Sequence, residues 1–280
     1  MLTLLSYSLY KDDVHKIVPI AAAVETFHNF TLLHDDIMDN APLRRGKATV
    51  HKKWNANTAI LAGDVMQIKV YDMLLGVGES KLKEVLTAFN QCATEVCEGQ
   101  QMDMEFETKS KVTEASYLEM IRLKTAVLLG FSLELGAILA DASDSDKKAI
   151  YEFGIHIGIG FQLKDDLLDV YADKNKFGKQ VGGDIIANKR TFLLIKALEK
   201  AKGKNKQELI HWLSSRKFEK RKKVKAVTAL YDELGIRKIA EQKIEAYFQL
   251  AFDELQKLSG GPEKKVILKT FATTLLDRQK

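Results

Sequence analysis

Apolar residues recur along almost the whole chain at the three- and four-residue spacing that places side chains on one face of an α-helix. No run alternates between apolar and polar residues across a hairpin turn, and no internal repeat or Pro/Ser-rich linker interrupts the pattern. The periodicity predicts helices over residues 12–38, 57–77, 80–106, 113–141, 144–172, 190–202, 205–214, 217–234, 236–258 and 262–277. We therefore expect residues 1–280 to form a single all-α domain, a bundle of about ten or more helices around a central apolar cavity.

Capping residues and two irregular segments complete this picture. Thr113, Ser143 and Asn57 directly precede helical stretches and mark predicted helix starts. Segments 40–56 and 173–189 resist helix assignment because they are rich in Gly, Asn, Lys or Arg. Each of these segments follows directly on a cluster of aspartates, so the two predicted loops begin where two acidic helix ends stop.

The composition indicates where the protein resides. With 46% apolar residues the chain can bury a substantial core, and only three prolines favour long uninterrupted helices. Cys92 and Cys97 form neither a CxxC pair nor a zinc-ligand pattern, which indicates free thiols in a reducing compartment. The N-terminus lacks the features of a signal peptide, and the longest apolar stretch (125–140) contains Glu134 and is too short to span a bilayer. We therefore expect a cytoplasmic protein without a transmembrane segment.

The net charge of +5 is unevenly distributed along the chain. Residues 196–280 contain 21 Lys and Arg against 11 Asp and Glu, so the preceding part carries a net negative charge. The densest basic run, "RKFEKRKKVK" at 216–225, has one aromatic residue, Phe218, and no recognisable nucleic-acid-binding module surrounds it. A solvated helix face is therefore favoured over a basic RNA-binding protein, and salt-sensitive binding of nucleic acid would separate the two.

Two aspartate clusters with the same spacing end two apolar helical segments. They are Asp35, Asp36 and Asp39 in "LLHDDIMD", and Asp165, Asp166 and Asp169 in "FQLKDDLLD". Because residues four apart stack on one helix face, the outer aspartates of each cluster converge, whereas the middle one points away by about 100°. His28 and Thr31 extend the first polar face toward the N-terminus, and Gln162 extends the second.

A face lined by carboxylates inside a helical bundle is unfavourable unless cations neutralise it. Mg²⁺ accepts carboxylate oxygens and commonly shares them with substrate phosphates. One such cluster is typical of a solvated helix end, but two copies, each followed by a basic Gly-containing loop, favour a binding site. We therefore expect the clusters to face each other across the cavity, with metal ions between them and a polyphosphate group bound to the ions.

Basic side chains near the clusters can bind that polyphosphate. The candidates in the two loops are Arg44, Arg45, Lys179 and Lys189. Lys124, followed by Thr125, lies inside an otherwise apolar helix, where an ammonium group is unfavourable without an anion. A third helix is therefore expected to line the same cavity.

These motifs are similar to those of a known family. The segments "LLHDDIMDNAPLRRGKATVH" and "FQLKDDLLDV…GK…GGD…NKRT" resemble the first and second aspartate-rich regions of the trans-prenyltransferases, which make farnesyl, geranylgeranyl and longer prenyl diphosphates. The stretches "LAGDVMQ", "EGQQMDM" and "KTAVLLGFSLELGA" also match blocks of this family, in the expected order. The similarity extends over residues 14–195, and it implies the all-α isoprenoid synthase-type fold.

The resemblance implies roles for particular residues. The Mg²⁺ ligands, for three ions per active site, would be Asp35, Asp39, Asp165 and Asp169. The allylic diphosphate would be bound by Arg44, Lys124, Thr125, Gln162, Lys179 and Lys189. Isopentenyl diphosphate would be bound by His28 and Arg45, and Phe30 and Thr31 would help to limit product length. The catalytic set would be Asp35, Asp39, Lys124, Asp165 and Lys179, in a protein that is a homodimer.

The implied reaction follows from where charge develops. Metal ions and basic groups stabilise the diphosphate as the allylic C–O bond breaks, and the double bond of isopentenyl diphosphate attacks the resulting carbocation. A proton then leaves, and the cavity must exclude water, which would quench the cation. Phe30 and "DDIMD" resemble archaeal geranylgeranyl-type synthases, so we expect a C20 product, with C15 or longer left open.

The chain departs from the family pattern in one respect. In the family, a Gly-Gly-Lys-x-x-Arg segment of the isopentenyl diphosphate site precedes the stretch corresponding to "MLTLLSYSLY". Either the sequence is a fragment without that segment and its helix, which is favoured, or the protein has lost two anion-binding groups. For residues 1–280 we expect weak binding of isopentenyl diphosphate, and a Michaelis constant in the range of homologues would contradict this.

Two other functions share parts of the pattern. A class I terpene cyclase has the same fold and first cluster but an Asn/Ser/Glu metal triad instead of a second DDxxD, and only a cyclase would release hydrocarbon from geranylgeranyl diphosphate alone. A non-catalytic subunit of a heteromeric prenyl synthase tends to lose an aspartate cluster, whereas both are complete here. The apolar face of helix 80–106 fits either the core or a dimer interface; it comprises Leu82, Val85, Phe89 and Val96.

Overall fold

The computed structural model describes residues 1–109, 111–172, 182–259 and 261–278. Its α-helices are α1 (Leu2–Ser8), α2 (Val18–Met38), α3 (Val50–Lys53), α4 (Ala56–Leu74), α5 (Glu79–Thr108), α6 (Glu114–Ile121), α7 (Val127–Leu139), α8 (Asp144–Tyr171), α9 (Gly183–Ala187), α10 (Phe192–Lys200), α11 (Gly203–Ser214), α12 (Lys220–Glu233), α13 (Ile236–Lys257) and α14 (Pro262–Leu276). A 3-10 helix (Val14–Ile17) precedes α2, and a π-helix (Arg122–Ala126) joins α6 to α7. Strands β1 (Leu43–Arg44) and β2 (Lys47–Ala48) form a short antiparallel hairpin. The predicted all-α architecture is confirmed.

Local sequence explains where several helices begin. Thr113 and Ser143 cap α6 and α8 through their hydroxyl oxygens, as predicted. The cap of α4 is Asn55, whose Oδ1 accepts a hydrogen bond from the backbone N–H of Thr58 at 2.8 Å. The helix start predicted at Asn57 is therefore slightly late.

The structure also contains short elements that the periodicity did not predict. Helix α1 packs against α7, the segment 40–56 contains the hairpin and α3, and α9 lies in the described part of the second irregular segment. Each of these elements is too short to repeat an apolar position more than once or twice, so a periodicity argument has nothing to detect. The prediction that no hairpin is present was wrong for this two-residue ladder.

The core is centred on α8, which packs against α7 and α13. Buried aromatic rings connect neighbouring helices: the Phe27 ring of α2 lies 5.2 Å from that of Phe89 in α5, which lies 5.8 Å from that of Phe131 in α7. Val85 and Val96 are buried on the same face of α5. Of the two interpretations of this face, the structure selects core for Val85, Phe89 and Val96, whereas Leu82 is only partly buried.

Two predictions from composition concern thiols and membranes. Cys92 is buried in the core, Cys97 is exposed, and neither forms a disulfide, as predicted. Among the helices of the described residues, none combines the length and the apolar character that crossing a bilayer requires.

Candidate active site

The first aspartate cluster is closed by an arginine from the hairpin. Asp35 and Asp36 lie in the last turn of α2, and Asp39 follows its final residue. The Nε of Arg44 lies 2.9 Å from both carboxylate oxygens of Asp36, and its Nη2 lies 3.3 Å from Asp35 Oδ2. Asp36 is buried, and a buried carboxylate without a partner would strongly destabilise the fold. The bidentate pair with Arg44 compensates for this burial. The middle aspartate therefore fixes the hairpin against the end of α2.

The hairpin turn places two arginines near His28. The turn residues are Arg45 and Gly46, with φ angles of 51° and 75°, a pair of positive values that is typical of the type I′ turn closing a two-residue hairpin. His28 is partly buried in α2, and its pKa is lowered by desolvation and by the charges of Arg45 and Arg44. The structure thus brings the two residues predicted to bind isopentenyl diphosphate, His28 and Arg45, within electrostatic range of each other.

A π-helix carries the third polar element of the site. The helix predicted over 113–141 is interrupted at Arg122–Ala126, where the wider π turn contains Lys124 and Thr125. Gly99 of α5 packs directly on this turn, since a Cβ at position 99 would lie 2.7 Å from the carbonyl carbon of Leu123. The missing side chain lets the two backbones touch, which fixes where Lys124 projects.

Lys124 connects three elements through its ammonium group. Its Nζ lies 2.7 Å from Asp103 Oδ2 of α5 and 3.1 Å from Asp35 Oδ1 of α2. The side chain is only 21% exposed, so both charge-assisted hydrogen bonds are partly shielded from solvent. The expectation that this lysine needs a nearby anion matches this placement, whereas the predicted cavity lined by this third helix stays a prediction.

Lys189 contacts Asp103 and lies within electrostatic range of both aspartate clusters. Its Nζ is 3.8 Å from Asp103 Oδ2. Desolvation acts to lower the pKa of Lys189, but Asp103, Asp184, Asp166 and Asp39 outweigh it, and the pKa is raised. Because Asp39 belongs to the first cluster and Asp166 to the second, one cation interacts with both acidic helix ends. The two clusters therefore share a single network of charges.

The middle aspartate of the second cluster is a buried hydrogen-bond acceptor. Asp166 accepts hydrogen bonds from the Tyr117 hydroxyl, from Gln162 Nε2 at 3.3 Å and from the backbone N–H of Phe192 at 3.4 Å. Its pKa is raised because burial disfavours the charged form and Asp184 adds a like charge. Asp36 holds the hairpin against α2, whereas Asp166 connects α8 to α6 and α10.

The outer aspartates of the second cluster have different partners. Asp165 forms an ion pair with Arg278, whose guanidinium also lies 4.3 Å from the centre of the Phe161 ring. Asp169 accepts a hydrogen bond from the backbone N–H of Asp184 at 3.0 Å, which holds α9 against the end of α8. Desolvation and the Asp184 charge raise the pKa of Asp169.

Two residues predicted to bind the allylic diphosphate meet between helices. The Thr125 hydroxyl lies 3.3 Å from Gln162 Oε1 and can donate to it, which joins the π-helix to α8. Lys179, predicted both as a diphosphate ligand and as a catalytic residue, lies outside the described residues.

The residues predicted to limit product length lie one turn before the first cluster. Phe30 is partly buried, and its ring centre lies 5.7 Å from that of Phe27 and 4.7 Å from the centre of the His34 ring. The Thr31 hydroxyl donates to the His28 carbonyl at 2.8 Å, within the helix. Phe30 is therefore part of the aromatic packing around α2.

Sequence reasoning missed several polar residues of this site. They are Asp103, Tyr117, Asp184 and Arg278. A signal for Asp103 existed, because it stands four residues after Gly99 in "EGQQMDM" and so shares its helix face. Asp184 is the aspartate of the "GGD" in the second motif, so its sequence also carried a signal. Tyr117 and Arg278 meet their partners only through tertiary packing, and nothing in their immediate sequence marks them.

The donor set fits a hard divalent cation. Desolvation and the neighbouring Asp35 charge raise the pKa of Asp39, so ionised carboxylates are crowded here and a cation would relieve them. In the described residues, no three His, Cys, Asp or Glu side chains converge closely enough to hold a metal by themselves. Mg²⁺ does not require such a triad, since it is usually bound through one or two carboxylates, waters and substrate phosphates.

Comparison with known proteins places the chain in a family. Residues 1–231 match the family model described as polyprenyl synthetase. The short chain isoprenyl diphosphate synthase of Methanocaldococcus jannaschii is 44% identical over 77% of this chain and 66% of its own length, just under two thirds of that protein. The geranylgeranyl pyrophosphate synthase of Geoglobus acetivorans is 37% identical over 99% of this chain and 85% of its own length. A crystal structure of a geranylgeranyl pyrophosphate synthase has a TM-score of 0.95 at 43% identity, covering 100% of this chain and 86% of that one.

The chain therefore belongs to the polyprenyl synthetase family of trans-prenyltransferases. This confirms the isoprenoid synthase-type fold and the predicted reaction class, a chain-elongating prenyl transfer. The family implies isopentenyl and allylic diphosphates as substrates, and its members generally use Mg²⁺.

Proposed function

We propose that this protein condenses isopentenyl diphosphate with dimethylallyl, geranyl or farnesyl diphosphate to make a longer trans-prenyl diphosphate. The observation that carries the proposal is the shared charge network, in which Lys124 contacts Asp35 and Asp103 while Lys189 interacts with both aspartate clusters. Two acidic helix ends with cations between them are suited to bind a diphosphate together with divalent ions.

In this proposal the basic groups act on the departing diphosphate. As the allylic C–O bond breaks, its electron pair leaves with the diphosphate, and Lys124 and Lys189 donate hydrogen bonds where that negative charge develops. Thr125, Gln162 and Arg44 orient the same group. The π electrons of isopentenyl diphosphate form the new C–C bond, and a proton lost to the released diphosphate restores a double bond. Lys179 remains a predicted member of this set.

Mg²⁺ would be held by the outer aspartates of each cluster. These are Asp35, Asp39 and Asp165, with Asp169 in support, for three ions per site. When bound, the ions act as Lewis acids that stabilise the charge on the diphosphate oxygens. His28 and Arg45 would bind the diphosphate of isopentenyl diphosphate. A largely neutral His28, as its lowered pKa implies, can still donate one N–H to a phosphate oxygen.

The proposed reaction is tested by mass spectrometry of the products. The protein is incubated with isopentenyl diphosphate and each allylic primer, with Mg²⁺ and with a chelator. Elongated diphosphates that disappear with the chelator support the proposal. Hydrocarbon released from geranylgeranyl diphosphate alone would establish a cyclase instead. The absence of product with every primer, at saturating isopentenyl diphosphate, would favour a non-catalytic subunit.

We further propose a product of about C20, in line with the relatives named geranylgeranyl synthases. Phe30 is the candidate stop, because its ring lies one turn before Asp35 and packs with Phe27. Phe30→Ala should shift products toward longer chains, measured by chromatography of the dephosphorylated alcohols. Phe252→Ala, a partly buried phenylalanine of α13, serves as the control. An unchanged distribution in Phe30→Ala would remove this residue as the stop.

A homodimer through α4 is proposed on the basis of its exposed apolar face. Leu61, Val65 and Ile68 lie at spacings that place them on one face of α4, and Leu75 directly follows the last residue of this helix. Each is more than half exposed, with exposures of 65, 55, 61 and 61%. Single exposed apolar residues are ordinary, but an aligned set such as this is typical of an interface.

The free thiols of Cys92 and Cys97 favour a reducing, cytoplasmic location.

A further inference from the structure

Arg278 lies on the second aspartate cluster. It follows α14, and its Nη2 pairs with Asp165 Oδ1 while the guanidinium carbon lies 4.3 Å from the centre of the Phe161 ring. Phe161 and Asp165 are four residues apart on α8, so one guanidinium covers both positions of the same helix face. No other ion pair to Asp165 is present within the described residues.

The contact is partly shielded from solvent and incompletely satisfied. The Arg278 side chain is 25% exposed and that of Asp165 is 40% exposed. Its Nε is buried and finds no hydrogen-bond acceptor within the described residues. A buried donor left unpaired opposes the gain from the ion pair, so the net stability of such a contact is small. A cation that binds the Asp165 carboxylate more strongly can therefore displace the arginine.

Asp165 is also a proposed metal ligand. One carboxylate oxygen cannot make close contact with a guanidinium and a divalent ion at the same time, and two adjacent cations repel each other. We propose that Arg278 is an intramolecular cation that competes with the divalent metal for Asp165, so that ion binding at the second cluster requires the arginine to move. This rests on the proposed function, because it takes Asp165 as a metal ligand.

Competition of this kind lowers the apparent affinity for the ion. The ion binds only the fraction of molecules in which Arg278 has left Asp165, so the apparent dissociation constant rises as that fraction falls. Removing the guanidinium should therefore tighten ion binding without adding any contact to the ion.

The test is a calorimetric titration of the full chain with Mn²⁺, without substrates. Arg278→Ala should bind the ion roughly 3- to 10-fold more tightly than the parent protein, as expected for removing one partly screened adjacent charge. Arg278→Lys should stay near the parent value, because it keeps the charge. Lys264→Ala is the matched control, since it removes a positive charge from α14, the helix that Arg278 follows, at a position where Lys264 pairs with Asp12. Its ion affinity should change by less than about twofold.

Asp165→Asn separates the inference from the proposed function. If Asp165→Asn weakens Mn²⁺ binding but Arg278→Ala leaves it unchanged, the metal site stands and the competition is wrong. If Asp165→Asn has no effect, or no ion binds to any variant, the proposed metal site fails and the competition fails with it. If Arg278→Ala increases the affinity for Mn²⁺ and this increase is absent when Asp165→Asn is combined with Arg278→Ala, the inference is supported.

Hydrogen exchange gives an independent readout. Mn²⁺ should increase deuterium uptake over residues 273–278 of the parent protein, the last turn of α14 and the two residues after it, because the anchoring ion pair is broken. In Arg278→Ala the uptake should already be high and should not respond to the ion. A decrease of uptake in the parent protein on adding Mn²⁺ would contradict displacement.

Discussion

At the scale of single residues, Lys124 combines two functions that are usually separate. It neutralises Asp35 and Asp103 within the fold, and we propose that the same ammonium group binds the diphosphate. Its position in a π-helix explains why it leaves the apolar face that the neighbouring residues occupy.

Lys124→Met keeps the length of the side chain and removes the charge. We expect kcat/KM to fall by about 10²- to 10³-fold, the usual effect of losing one donor to a developing anion. Steady-state kinetics with isopentenyl diphosphate and an allylic primer would measure it. Arg122 lies in the same π-helix and pairs with Glu119. Arg122→Ala should keep kcat/KM within about threefold of the parent value. Equal losses in both variants would contradict a specific role for Lys124.

Glu134 makes the stability of the protein depend on pH. Desolvation in α7 and the Glu84 charge raise the pKa of Glu134 to about 7, with Lys147 opposing, against an ordinary value of 4.5. The folded state therefore binds this proton more tightly than the unfolded state. The stabilisation is complete below pH 4.5 and is lost as the pH rises through about 7.

Replacing this carboxyl tests that assignment. The free energy of unfolding of the parent protein should decline between pH 5 and pH 8. In Glu134→Gln this decline should be smaller by ~2 kcal/mol. Urea denaturation at a series of pH values measures it, and Glu98→Gln, at an exposed position of α5, should keep the decline. A Glu134→Gln profile that parallels the parent protein would show that another group titrates.

At the scale of elements, the contact between α5 and the π-helix positions the third part of the site. Gly99→Ala would place a methyl group against the backbone of Leu123 and Lys124, so the two segments must separate. We expect a destabilisation of about 1–3 kcal/mol. The loss of activity should exceed what this loss of stability would cause, because Lys124 moves with its backbone. Thermal unfolding and kcat/KM would be measured together.

Gly78→Ala is the control for that experiment. A Cβ at Gly78 meets nothing within 4 Å, and its φ is negative, so both stability and activity should stay close to the parent values. If Gly99→Ala lowered stability while kcat/KM remained unchanged, the packing of α5 would have no part in placing Lys124.

The long helices were predictable because each repeats its apolar positions over several turns. α8, α13 and α14 begin and end within about two residues of the predicted bounds. The π-helix, the hairpin and the short helices α1, α3 and α9 were not predictable in this way. A π turn differs from an α turn by a hydrogen-bond shift that leaves the local composition unchanged, and short elements depend on what they pack against.

At the scale of the whole molecule, the exposed face of α4 predicts association. A charge introduced at the centre of an apolar interface is desolvated without a partner, so Leu61→Asp/Ile68→Asp should convert a dimer into a monomer. Light scattering after size-exclusion chromatography measures the mass. Ile210→Asp, an exposed apolar residue of α11, should not change it. A parent protein that is already monomeric would contradict the proposed dimer.

The sequence by itself determined the helical architecture and the family, because periodicity and motif spacing are local and can be read without coordinates. It also predicts the outer aspartates as metal ligands. The tertiary structure alone decided what the middle aspartates do. Asp36 and Asp166 are identical to their neighbours in composition and spacing, yet burial commits one to Arg44 and the other to Tyr117. It also decided that Arg278 lies against Asp165, since the two are more than a hundred residues apart along the chain and only the packing of α14 on α8 brings their charges together.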